Sequence, residues 1–197
     1  IYSSTTGTNS SSVAYGMSYS RVWYGLSPLS EVDSPRSSDI LVVGGVFTNI
    51  EYCGFDSHGA KNIVVSGCEF SNVQVGVNLE HGSSVATGSF YCSSDNVIVT
   101  GCRFYGVDNT VQNRGPAVLI DAQSGNGETA KNIIVTSCSF SGFGHSKDGG
   151  SPRYAAPAQA PPVSLGGAIY FASVNGMTLS NLTFDDVDSI TFCAGNN

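Results

Sequence analysis

Apolar and polar residues alternate with a period of two along five short stretches of the chain, and the stretch recurs. SDILVVGGVF (38–47), KNIVVSGCEF (61–70), DNVIVTGCRF (95–104), KNIIVTSCSF (131–140) and NGMTLSNLTF (175–184) align without gaps. Ile63, Val65, Cys68 and Phe70 mark one face, with a bend near Gly67. The same columns hold Val97, Val99, Cys102 and Phe104, then Ile133, Val135, Cys138 and Phe140. A period of two is the strand period, because successive side chains of an extended chain point to opposite faces. No helical periodicity of useful length occurs.

The closing residues of the five units are Phe47, Phe70, Phe104, Phe140 and Phe184, at spacings of 23, 34, 36 and 44 residues. Three residues after each comes another apolar residue, Ile50, Val73, Val107, Phe143 or Val187. Repeats of a few dozen residues, each with several short strands and like residues in register, predict a coiled all-β solenoid whose turns stack and share one core. Asp39, Asn62, Asn96 and Asn132 open the first four units, where stacked amides can bond from turn to turn. Cys68, Cys102 and Cys138 form an inward column and are expected as buried thiols, since free cysteine packs as a small hydrophobe. Leu41, Val64, Ile98, Ile134 and Thr178 point outward. An outward apolar stripe needs a cover, and self-association as a parallel homotrimer through Leu41, Val64, Ile98 and Ile134 is the expectation.

The N-I-V-V-x-G-C-x-F units resemble the right-handed parallel β-helix of the pectate-lyase-like superfamily, a single-stranded solenoid. The likeness covers roughly residues 38 to 197, with 1–37 as a degenerate first coil. Members of that superfamily include polygalacturonases, pectate lyases, alginate epimerases and phage tailspikes, so the resemblance implies the fold and leaves the reaction open. Residues 1–197 are expected to form a single domain, a section of a longer rod, with long loops at 81–94, 108–116, 122–130 and 144–167.

Composition narrows the chemistry. The charged fraction is 12%, against about 25% in an ordinary soluble domain. The formal charge is −7 and the eight Lys and Arg residues are scattered, which argues against a nucleic-acid surface. Apolar runs of about five residues are too short to insert in a membrane. No Cys-x-x-Cys occurs, so no zinc knuckle or redox motif is indicated. The chain opens at Ile1 without a leader pattern, as a processed or excised piece would. An extracellular or virion-surface location is expected.

After each Phe corner another strand follows: CGFD (53–56), VNLE (77–80), VLID (118–121) and AIYFA (168–172). Aligning Phe55, Leu79, Ile120 and Phe171 puts Asp56, Glu80, Asp121 and Ala172 in one outward column. Neighbouring strands would then set Asp56 and Glu80 ~5 Å apart and Asp56 and Asp121 ~10 Å apart. Like charges that close resist joint ionisation, which keeps one carboxyl protonated as a general acid beside an ionised partner. Pairs ~5 Å apart suit retaining glycoside hydrolysis, and ~6.5–9.5 Å leaves room for an inverting water. Both stay open. No cofactor is expected; Ca²⁺ on the carboxylate column is the alternative use of the same oxygens.

His58 and His81 follow the first two acids closely enough to shuttle a proton or orient a carboxylate. Tyr52, Lys61, Arg114, Arg153 and Tyr154 are the candidates for holding sugar hydroxyls or carboxylates. The function expected is an endo-acting hydrolase of a bacterial surface or cell-wall polysaccharide, of the tailspike depolymerase type. One alternative is a uronate lyase or C5-epimerase, because GFDSH resembles the G-F-D-P-H motif of mannuronan epimerases at Asp56 and His58. The other is a non-catalytic glycan-binding fibre or adhesin segment.

Overall fold

A computed structural model of the chain describes residues 17–20, 38–80, 82–83, 91–106, 116–121, 129–142, 168–187 and 190–194. For 17–20, 49, 51, 52, 58, 74, 80, 82, 83, 91, 92, 121 and 191–194 the backbone alone is described. The described residues are all-β, with no helix among them. The strands are β1 (Met17–Ser20), β2 (Ser38–Val43), β3 (Val46–His58), β4 (Lys61–Ser66), β5 (Glu69–Glu80), β6 (Gly82–Ser83), β7 (Tyr91–Cys92) and β8 (Asp95–Thr100). They continue with β9 (Arg103–Tyr105), β10 (Val118–Asp121), β11 (Ala130–Thr136), β12 (Ser139–Ser141), β13 (Ile169–Ala172), β14 (Val174–Ser180), β15 (Thr183–Asp185) and β16 (Thr191–Ala194).

Each repeat lends its strand to a parallel sheet, beside the matching strand of the next repeat. One sheet has the order β14-β11-β8-β4-β2. The other follows the path β15-β12-β9-β5-β10-β13-β16, with β3 on β5 and β1 on β3. The long strand β5 joins two tracks in that second sheet. Its start pairs with β9 and its end with β10. The β6–β7 pair is the antiparallel one among the described strands.

The repeat alignment is the observed register in the first sheet. Ile40, Ile63, Val97, Ile133 and Met177 share one column, and Val42, Val65, Val99, Val135 and Leu179 another. The outward stripe is in register too, from Leu41 through Val64, Ile98 and Ile134 to Thr178. Leu41 is 68% exposed and Ile98 36%.

Inside, the five phenylalanines stack. Ring centroids from Phe47 through Phe70, Phe104 and Phe140 to Phe184 are 4.8, 4.8, 5.0 and 5.0 Å apart, with the planes 3–11° from parallel. That step is the strand spacing of a sheet, so the backbone sets the ring spacing. Each fully buried ring contributes on the order of 1.5–3 kcal/mol. The stack leaves no room beside it: a Cβ on Gly54 would come within 2.6 Å of the Phe70 ring, and one on Gly76 within 2.6 Å of Phe104.

The corner between β2-type strands and the turn before them carries the polar column. Asn62 Nδ2 donates to Asp39 Oδ1 (2.9 Å), Asn96 to Asn62 (3.0 Å) and Asn132 to Asn96 (2.9 Å). These four residues have φ between 54° and 59°, the left-handed region that Asn and Asp tolerate best after glycine. The next unit places Gly176 there, at φ 80°. Asp39 can accept and not donate, so every amide in the ladder points its N–H toward the first unit. Hydrogen bonds from Ser38 and Asn62 hold the Asp39 carboxyl below its ordinary pKa.

Cys53, Cys68, Cys102 and Cys138 are buried free thiols. Cys68, Cys102 and Cys138 donate to main-chain carbonyls of Ser66, Thr100 and Thr136. Contact with the Cys138 thiol, together with burial, pushes the Cys102 thiol far up, as expected for structural rather than reactive cysteine.

Candidate functional site

The acids lie on the second track of the nine-stranded sheet, and the register there corrects the sequence alignment. Asp56 is paired with Asn78, and it is His58 that is paired with Glu80. Glu80 is in turn paired with Asp121, and Asp121 with Ala172. One column therefore runs His58, Glu80, Asp121, Ala172. Asp56 belongs to the column two residues earlier, with Asn78, Leu119 and Tyr170. A bulge accounts for half of this two-residue difference: Ile50 pairs with Val73, but Cys53 pairs with Val75, so the extra residue lies in β3, whereas aligning Phe55 with Leu79 puts one in β5. The inward residue opposite Phe55 is Val77, and Leu79 stands opposite Ser57. A bulge adds one unpaired residue and bends its strand, and the period of two does not say which strand carries it.

The bulge gives Ser57 an inward place in an otherwise apolar column. It is fully buried, with its Oγ 3.3 Å from Ser94 Oγ and accepting from the Ala60 N–H at 3.4 Å. Gly59, at φ 76°, turns the chain immediately afterwards. The Asp56-Ser57-His58 segment is thus the end of a strand, not a loop.

Asp56 alternates with the inward residues Phe55 and Ser57, so it lies on the face away from the core. The expected open column is not what surrounds it: Asp56 is 1% exposed, and Asn78 1%. Their column neighbours Leu119 and Tyr170 are buried as well. Asn78 Nδ2 donates to Asp56 Oδ1 at 2.8 Å. Asn78 Oδ1 is buried with no hydrogen-bond partner among the described residues.

Glu80, Asp121 and His58 end β5, β10 and β3, so three successive layers bring them to one edge of the face. Glu80 and Asp121 are direct neighbours, with backbones ~5 Å apart. Tyr52 falls inside the bulge. Lys61 lies across the Gly59–Ala60 turn on the other sheet, exposed and in register with Ser38 and Asp95. His81, Arg114, Arg153 and Tyr154 lie outside the described residues. So do most of the loops at 81–94, 108–116 and 122–130, and all of the one at 144–167.

Sequence reasoning missed Asn78. Its signal was present as a polar residue at the outward position of VNLE, two before Glu80. The bulge hid the fact that it faces Asp56. Among the described residues no group of three or more His, Cys, Asp or Glu is arranged to hold a metal ion.

No protein-family model, no curated protein and no solved structure matches this chain.

Proposed function

We propose that the chain is a polysaccharide-degrading enzyme, an endo-glycosidase built on a right-handed parallel β-helix of the pectate-lyase-like kind. The observation that carries this is the gathering of Asp56, Glu80 and Asp121, with His58, on three successive parallel strands of one face. Glycoside hydrolysis needs two carboxyl groups with different protonation states flanking one bond. Acids on successive strands supply candidates for both carboxyl groups. His58, whose backbone pairs with that of Glu80, would relay or orient a proton in this reading.

A long polymer suits a rod whose layers repeat every ~4.8 Å, because successive sugars can lie across successive strands. The substrate proposed is a bacterial surface or cell-wall glycan, met outside the cell. The alternative uronate lyase or epimerase draws on GFDSH. Here the motif proline's place is taken by Ser57, which is committed to the interior.

Incubation with a panel of acidic and neutral polysaccharides, followed by mass spectrometry and a reducing-end assay, tests this. A hydrolase yields new reducing ends without an unsaturated product. Ultraviolet absorbance from an unsaturated sugar would replace the hydrolase with a lyase. Unchanged breakdown in Asp56→Asn, Glu80→Gln and Asp121→Asn would remove the site, and no breakdown by the parent chain would leave a binding rod.

A further inference from the structure

We propose that the outer face of the five-stranded sheet is the contact surface of a homodimer. The second copy packs on it with its layers in reverse order, so that Val64 of each copy meets Ile98 of the other. The acids belong to the other sheet, and the dimer does not depend on any reaction there.

The face needs a cover of defined length. Layers are counted along the sheet from β2, the first, through β4, β8 and β11 to β14, the fifth. Leu41, Val64, Ile98 and Ile134 fill one outward column in layers one to four, and Thr178 ends it in layer five. Leu41, Ile98 and the neighbouring Val43 are exposed, and Val64 and Ile134 are partly so. A contiguous apolar row on an outer face marks an interaction surface. A partner that covers it without waste carries an apolar row of the same length, and a second copy does.

The charged rim decides how that copy lies. Ser38, Lys61, Asp95, Lys131 and Asn175 are in register at the start of these strands. Asp39, next to Ser38, adds a carboxylate in layer one. Let a two-fold axis run along the strands between layers two and three. Lys61 of each copy then faces Asp95 of the other, and Lys131 faces the Ser38–Asp39 end. In the apolar row Leu41 meets Ile134 and Val64 meets Ile98, so every member is covered by another. On the far side Ser66 meets Thr100. The Lys61–Asp95 exchange has the reciprocity that a two-fold interface requires.

Other registers fail. An axis at layer two sets Lys61 against itself, and one at layer three sets Asp95 against itself and Lys61 against Lys131. An axis between layers three and four leaves Leu41 uncovered and puts Val64 on Thr178. A parallel arrangement, including the trimer expected from the stripe, brings the charged rim onto Ser66, Thr100 and Thr136, where no charge answers it. Complementary charge fixes register and partner more than raw affinity. The four overlapped layers, at ~4.8 Å each and six residues of ~3.3 Å, give a footprint of roughly 400 Å² a side. Both sides together stay under the ~1,200 Å² at which standard interfaces begin. The dimer is therefore weak, with Kd on the order of 100 μM.

Sedimentation velocity of the parent chain at low salt, from about 10 μM to about 1 mM, spans that Kd and should show monomer giving way to dimer. Lys61→Asp should weaken association at least tenfold, and so should Asp95→Lys, since each sets like charges face to face twice. Mixed one to one, the two variants should recover the dimer, because each supplies the charge that the other lacks. If Asp95→Lys does not fold, salt decides. Raising it from about 0.05 to about 0.5 M should weaken the parent's dimer and strengthen that of Lys61→Asp, since screening removes attraction in one and repulsion in the other. A parent that stays monomeric throughout, or forms a trimer, overturns the proposal. So does a Lys61→Asp variant that associates like the parent, a mixture that fails to recover, or a salt response of the same sign in both proteins.

Discussion

The two sides of each layer differ in how strictly they repeat. On the five-stranded sheet every strand meets its neighbour without a register shift, from β2 to β14. Its inward positions are aliphatic, and a single hydrogen-bonded amide column marks its corner. On the track that ends at Asp56 and Glu80, β3 carries an extra residue, a serine occupies an interior column, and a carboxylate and an amide are enclosed together. The first side is built for stability and the second departs from the cheapest packing. Enclosing Asp56 and Asn78 where two apolar residues would fit is a cost that packing alone does not explain. Bulges are over-represented next to active sites, where they re-aim a side chain, and this one moves Asp56 from the register opposite Leu79 to that opposite Asn78.

The largest way to break the comparison is on the regular side. Phe104→Ala removes the middle ring of the stack, between Phe70 and Phe140. The loss should be about 3–5 kcal/mol, since the neighbouring rings are pinned to the backbone spacing and cannot collapse into the cavity. Urea unfolding measures it. A loss below about 1 kcal/mol would mean that the stack is not what sets the layer spacing. The same change at Phe184, which is only partly buried, should cost less.

A smaller effect sharpens the other side. Asn78→Leu takes a donor from a buried carboxylate and should cost about 1–3 kcal/mol. Pairing it with Asp56→Val removes both ends of this hydrogen bond and should recover part of that loss, because neither apolar group needs the other as a partner. Thermal unfolding of the two single variants and the double one gives the coupling. If the double variant is no more stable than the sum of the single losses predicts, the pair contributes structure and not only chemistry.

The regular side was legible in the sequence because its residues repeat without insertions. Five gapless segments were enough to place the Phe stack, the amide ladder, the thiol column and the outward stripe in their observed columns. The acid side was legible in its residues but not in its register. The period-two pattern puts Asp56 and Glu80 on the same face correctly, and it has no means of counting a bulged residue at 50–53. The enclosure of Asp56 was not legible either, since outwardness was inferred from alternation, and alternation states which face a side chain takes, not what lies over it. Asn78 went unnoticed for a related reason. An amide beside an apolar run looks like an ordinary outward residue until its cross-strand partner is known.

The mildest prediction returns to the amide ladder and separates its two functions. Asn96 holds a left-handed backbone, φ 54°, and also bridges Asn62 and Asn132. Asn96→Ala loses both the bonds and the conformational tolerance, and should cost about 1–2 kcal/mol. Asn96→Gly loses only the bonds, since glycine adopts positive φ freely, and should cost about half as much. Equal losses in the two variants would assign the column to hydrogen bonding alone. A negligible loss in the glycine variant would assign it to the turn. The ladder's polarity adds a pH dependence of known sign. The Asp39 carboxyl is held low by Ser38 and Asn62, so its contribution is complete above the ordinary aspartate pKa of ~3.9 and fades as the pH falls through the lowered value. Acid should therefore loosen the ladder from the Asp39 end, and amide exchange at Asn62 should rise before exchange at Asn132.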